Sequence, residues 1–140
     1  MFRHILIPSD GSAASQLAVN AALRMARESG ARVTAVHVLP EEPALASLAT
    51  APAENTILAE NTILADIARQ ATTLHVNCTT LEVHADQPHA AIIATALQRG
   101  CDLIAMASRG RSGLASLMLG SQTQKVLTHS KIPVLVFREG

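Results

Sequence analysis

The sequence predicts a single doubly wound α/β domain over residues 1–140, a five-stranded parallel sheet in the order 3-2-1-4-5 with helices on both faces. Short aliphatic runs alternate with longer stretches of helical periodicity, the mark of strand–helix–strand units. The first, Ile5-Leu6-Ile7, is continuously apolar, as in a strand covered on both sides, and Cys78 to His84 alternates. The 49% apolar content is carried by 25 Ala and 17 Leu against two aromatic residues, Phe2 and Phe137. Small and branched aliphatics favour close helix-on-sheet packing over an aromatic-filled sandwich, and 140 residues suit one core.

In chain order, Ile5-Leu6-Ile7 is the first strand. Ser12 caps a helix whose apolar positions Ala14, Leu17, Ala18, Ala21, Met25 and Ala26 recur near 3.6-residue spacing, and Gly30 ends it as a left-handed cap. Arg32 to Leu39, with Val33, Val36 and Val38, is the second strand. Residues 40–53 form a connector. Glu54 to Leu74 reads as helical and contains a duplication, Ala53–Leu58 repeated as Ala59–Leu64. Six residues is not a helical period, so the duplication reads as a tolerated insertion in a surface helix and not as a repeat unit. Cys78 to His84 is the third strand. Pro88 sits in the first turn of a helix carrying Ile92, Ile93, Ala96 and Leu97, which Gly100 ends. Asp102 to Ala107 and Val134 to Phe137 are the last two strands, separated by a Gly/Ser/Arg loop and a helix beginning near Gly120.

Several function classes are excluded at this level. Eleven basic and eleven acidic residues cancel, the pI is near 7.0, and no basic stripe is present. A general nucleic-acid or membrane-surface role is therefore disfavoured, and stacking platforms for single strands are missing. No apolar run approaches the roughly 18 residues of a membrane span. Met1-Phe2-Arg3-His4 leads straight into the first strand without a signal-peptide layout, so a cytoplasmic location is expected. Cys78 and Cys101 lack CxxC or paired-His spacing and read as reduced, buried thiols; no metal-ligating set is expected. His37, His84 and His89 read as structural or solvated, with His84 the one whose strand end approaches a site. His4 and His129 are expected at the surface.

Parallel sheets of this kind bind ligands beyond the carboxyl ends of their strands, where strand order reverses. Two strand ends are polar or glycine-rich: Ser9-Asp10-Gly11-Ser12, and Ser108-Arg109-Gly110-Arg111-Ser112-Gly113 leading on to Gly120-Ser121-Gln122-Thr123. The second has the chemistry of a phosphate cradle. Glycines admit backbone N–H groups close to an anion, and a helix opening at Gly120-Ser121 offers unpaired N–H groups and a positive dipole end. Ser121 adds a hydroxyl; Arg109 and Arg111 add charge. On composition alone, an ordinary turn with solvated arginines remains the alternative. Gly-x4-Gly-Lys-Ser/Thr, Gly-x-Gly-x-x-Gly and Gly-x-Ser-x-Gly are absent, which leaves a P-loop, a dinucleotide fold and a hydrolase elbow without support.

Ala107-Ser108-Arg109-Gly110, nine residues and then Gly120-Ser121 resemble the nucleotide-binding signature of the universal stress protein family, Gly-x2-Gly-x9-Gly-Ser/Thr. The opening Ile5-Leu6-Ile7-Pro8-Ser9-Asp10-Gly11-Ser12 and the ending His129-Ser130-Lys131-Ile132-Pro133-Val134-Leu135-Val136 are similar to the family's as well, so the resemblance spans essentially the whole chain. It implies an ATP-binding member. Asp10 would face the adenine and ribose end, although it can also cap the first helix, and Val38 would offer backbone hydrogen bonds to adenine. Ala107 and Gly110 would line the ribose and first phosphates. Gly120, Ser121 and Gln122 would hold the phosphate tail through amides and the Ser121 hydroxyl. Pro8, Ser9, Ser108, Arg109 and Thr123 complete the implied nucleotide-binding set. Mg²⁺ would be carried by the nucleotide phosphates.

Ala107 stands where the family pattern has its first glycine, which implies modestly weakened ATP binding. A homodimer through Val134–Phe137 is implied too, and an aliphatic edge strand has a physical motive to pair. The function expected is that of a nucleotide-dependent stress-response regulator or sensor with at most slow ATP hydrolysis, since no residue stands out as a positioned general base. The alternatives are a dimeric adaptor that binds no nucleotide, and a slow ATPase or phosphotransferase.

Overall fold

Each aliphatic run forms a strand, and the five strands make one parallel sheet: β1 (His4–Pro8), β2 (Arg32–Leu39), β3 (Cys78–His84), β4 (Leu103–Ala107) and β5 (Val134–Phe137), in the order β3-β2-β1-β4-β5. The computed structural model describes residues 2–41, 62–109 and 119–138. Within them lie four helices, α1 (Ala13–Ser29), α2 (Thr62–Thr73), α3 (Pro88–Gln98) and α4 (Ser121–His129). The chain first builds outward from β1 through β2 to β3, then crosses back to place β4 on the other side of β1. Strand order therefore reverses between β1 and β4.

Strand alternation divides the core into two layers. Ile5, Ile7, Val33, Ala35, Leu103 and Ala105 pack on the side of α1 and α2, with Leu23, Ala26, Leu64 and Ile67. Leu6, Val36, Ile104 and Met106 face the opposite way, against Ile92 and Ala96 of α3 and Val126 of α4. Because both faces are covered, the central strands β1 and β4 are buried at every position, which explains their unbroken apolar run.

The ends of α1 follow the expected chemistry. Ser12 Oγ accepts the Ser15 N–H at 3.1 Å, and Gly30 takes the left-handed conformation at φ +74°. The buried face differs from the predicted one: it runs through Ala14, Ser15, Ala18, Val19, Ala22, Leu23 and Ala26, while Leu17 is 52% exposed. The stripe follows the sheet beneath it, and Leu17 lies about 100° around the helix from Ala18. Of the helix expected over Glu54–Leu74 the structure describes Thr62–Thr73; the connector beyond Glu41, the first copy of the duplication and the start of the second fall in residues 42–61, outside the described residues.

Two corrections concern the amino ends of the strands, opposite the site. β4 begins at Leu103 instead of Asp102, because the Asp102 carboxylate turns back to accept the amides of Arg3 (2.9 and 3.1 Å) and His4 (3.0 Å). Desolvation pushes this carboxyl up, but the His4 and Arg3 amides outweigh it and hold it below its usual value. His4 is not a surface residue: it is 8% exposed, and its Nε2 lies 2.7 Å from Thr34 Oγ1. Burial, with the Arg32 charge, lowers its pKa from 6.5.

The folded state thus resists a proton that the unfolded chain accepts. As pH falls below about 6.5 the unfolded chain binds that proton first, so stability present at neutral pH is lost towards acid. Urea midpoints measured between pH 7.5 and 5.5 are expected to fall for the wild type and to flatten in His4→Gln; an unchanged slope in the variant would refute the assignment.

Cys101 is buried, and its thiol is pushed up to about 11 by burial and by the Asp102 charge. Cys78 is only half-buried, in contrast to the expectation, and burial raises it as well. No helix among the described residues is long and apolar enough to cross a membrane.

Candidate functional site

β1 and β4 lie side by side, yet β1 leads into α1 on one face of the sheet while the helix after β4, α4, packs on the other. The divergence opens a cleft of about 240 Å³ at the carboxyl ends of β1, β2 and β4. Pro8, Ser9 and Asp10 line it from the end of β1, and Val38 from β2. Ala107 and Arg109 close it at the end of β4; Gly120, Ser121, Gln122 and Thr123 line it from the start of α4.

Each group is held by local structure. Asp10 Oδ1 accepts the Ser12 N–H at 2.9 Å and the Ser15 hydroxyl at 2.8 Å, and Gly11 makes the turn at φ +81°. Helix capping is left to Ser12, while Asp10 braces the turn before it. Val38 is placed by register. The last β1–β2 pair is Pro8↔Val36, and Ser9 N–H donates to Val36 C=O at 2.9 Å. Two residues on, the Val38 amide and carbonyl point the same way, past the end of β1 and toward the cleft.

The amino end of α4 is fastened to the end of β4. Gly120 N–H donates to Ser108 C=O at 2.7 Å, and the buried Thr123 hydroxyl donates to Ala107 C=O at 2.9 Å. A Cβ on Gly120 would sit 3.1 Å from Arg109 Cα and 3.4 Å from Ser108 O, a close approach that favours glycine because the backbone would have to give by a few tenths of an ångström. Thr123→Val is expected to cost about 1–3 kcal/mol in urea denaturation, because the buried Ala107 carbonyl loses its donor; a cost within error of zero would remove this bond from the account.

Ser108 is buried and outside the cleft wall, bonding through its backbone to Gly120 and to Phe137. Gly110 and Arg111 lie outside the described residues. His84 is exposed and does not line the cleft. The Ala107 side chain packs with Ala14 and Ala18 of α1 and with Phe137. Its methyl therefore sits on the α1 side of the sheet, opposite Met106, and its backbone is outside the left-handed region.

Sequence reasoning missed the apolar floor: Val36 and Met106 from the sheet, Pro88 and Ile92 from α3. Strand parity was the available signal, since Val36 shares a face with Val38. It also missed how α3 is capped. The N-cap Gln87 makes no side-chain bond, and Gln122 Oε1, from α4, accepts the His89 N–H at 2.8 Å instead. Two helix amino ends consequently converge on one side of the cleft. An apolar slot beside a pair of peptide-lined dipole ends, with Ser121 and Arg109 at the rim, suits a flat apolar ring joined to an anion.

A sequence model of the universal stress protein family matches residues 1–138. Universal stress protein YxiE of Bacillus subtilis is 32% identical, the match covering 99% of this chain and 100% of that one. Among solved structures, MJ0577 of Methanocaldococcus jannaschii superposes with a TM-score of 0.86 at 26% identity, covering 100% of this chain and 98% of its own. A universal stress protein in complex with cAMP shares the fold with a TM-score of 0.77 at 22% identity, over 97% of each chain.

Proposed function

This chain belongs to the universal stress protein family, and from that premise we propose that it binds an adenine nucleotide, ATP with Mg²⁺, as the ligand of a cytoplasmic stress-response regulator. The observation that carries the reading is the fastening of the α4 amino end to β4 through Gly120, which fixes free amides and the Ser121 hydroxyl at the polar end of the cleft. Adenine occupies the slot between Val36, Val38, Ile92 and Met106, reading the Val38 backbone; Asp10 faces the ribose. The Ala107 methyl is turned toward α1, so alanine is compatible with a ribose at this strand end. Mg²⁺ would be carried by the nucleotide phosphates, not by a protein cage.

Turnover is slow at most. Asp10 Oδ1 already holds two hydrogen bonds, as suits a fixed acceptor more than a mobile base. Fold alone does not decide among nucleotides, and the cAMP complex of a protein with the same fold makes cAMP the second ligand to test.

Titration calorimetry of nucleotide-stripped protein is the test. ATP with Mg²⁺ is expected to bind at the micromolar level, on the order of 8 kcal/mol, with phosphate release near background. No heat and no thermal stabilisation up to millimolar ATP would overturn the reading in favour of a dimeric adaptor; rapid phosphate release would make the protein an enzyme. Homodimerisation through β5 belongs to the same proposal. β5 is an edge strand with Leu135 38% exposed, and sedimentation that shows only monomer would count against it.

A further inference from the structure

Behind the cleft, α3 and α4 bring together two histidines separated by 40 positions in sequence, a juxtaposition no ligand spacing signals. The ring centroids of His89, in the first turn of α3, and His129, in the last turn of α4, are 5.7 Å apart with their planes tilted by 31°. We propose that His89 and His129 form an intrachain two-histidine site for a divalent transition ion of the zinc class.

The tautomer of His89 follows from its partner. Gln122 Oε1 faces the His89 backbone N–H at 2.8 Å; that group only donates, so the facing amide atom is the oxygen. The same oxygen lies 3.3 Å from His89 Nδ1, and as it only accepts, the ring proton sits on Nδ1. The lone pair is thereby left on Nε2. This is the arrangement of a metal-ligating histidine, whose second nitrogen donates to a carbonyl or carboxylate.

The spacing agrees. Two imidazoles sharing one ion through metal–nitrogen bonds of about 2.0–2.1 Å at near-tetrahedral angles bring their centroids roughly 5–6 Å apart. His129 is exposed and His89 half-exposed, so water completes the coordination, and neither ring is ion-paired among the described residues. Neutral imidazoles select zinc, copper or nickel over magnesium or calcium. The thiols are weak rivals: Cys101 is pushed up to about 11 by burial, and Cys78 is raised by it too.

Equilibrium dialysis of the nucleotide-free full chain against Zn²⁺ alone tests the site independently of any nucleotide. One zinc per chain is expected, with binding at least tenfold weaker in His89→Ala and in His129→Ala. Both variants keep the fold, because the His89 backbone N–H still reaches Gln122. Gln122→Ala should weaken zinc about 10- to 100-fold, and Gln122→Glu, which keeps an acceptor, should retain it. The proposal is overturned if the double variant His89→Ala/His129→Ala binds zinc as the wild type does, if Cys78→Ser abolishes binding instead, or if the wild type takes up no zinc at millimolar concentration. Half an ion per chain, with zinc-dependent dimers in sedimentation, would equally overturn an intrachain site.

Discussion

Gly120→Val is expected to weaken ATP binding on the order of 100-fold, or about 2.7 kcal/mol. The reason is space and not torsion, since Gly120 has an ordinary φ of −63°. A Cβ there already lies 3.1 Å from Arg109 Cα and 3.4 Å from Ser108 O, and the branched γ-carbons of valine add to the crowding. Both neighbours are backbone and cannot rotate aside. The amino end of α4 is therefore expected to shift away from β4, straining the 2.7 Å bond from Gly120 N–H to Ser108 C=O and moving the Ser121 and Gln122 amides from their places in the cleft. Overpacking of this kind costs about 1–3 kcal/mol of stability, so the variant remains folded and its binding can be titrated. Gly120→Ala should fall between the two. If Gly120→Val binds ATP as the wild type does, the phosphate end does not lie at α4.

Leu6→Ala should produce the largest stability loss, about 2–5 kcal/mol, out of a total that is typically about 5–15 kcal/mol. Leu6 is fully buried in the central strand and packs in the layer formed with Val36, Ile104, Ile92, Ala96 and Val126. With β2 and β4 hydrogen-bonded on either side of it, the backbone there has little freedom to collapse into the cavity. Urea denaturation measures the loss directly. Leu17→Ala is the matched control. The same deletion at a 52% exposed position should stay within about 0.5 kcal/mol. Equal costs at the two sites would mean that the face assigned to α1 is wrong.

How much of this was legible beforehand depends on the range of the interaction. The limits of β2, β3 and β5 coincide with the strands predicted from the sequence, and α1 begins and ends at the cap residues, because strand and cap signals are local. The glycine at 120 and the polar turn at Ser9–Ser12 were visible for the same reason. Leu17, His4 and Gln122 were misread or only half read. Leu17 fits a helical period as well as Val19 does, and only the sheet beneath α1 selects between them. His4 looks like a terminal polar residue until β2 brings Thr34 to its ring and Asp102 reaches its amide. Gln122 has no local sign of capping a helix whose first residues lie 33 positions earlier.

The order of apolar runs, turn residues and caps in the sequence was enough to set the fold class, the family resemblance and the strand ends at which the cleft opens. Each rests on contacts between residues a few positions apart, whose chemistry is written in neighbouring letters. The apolar floor of the cleft, the direction of the Ala107 methyl, the capping of α3 by Gln122 and the meeting of His89 with His129 emerge only on folding. They join elements brought together by sheet register and helix packing, where the partner of a side chain is chosen by geometry across the core and not by distance along the chain.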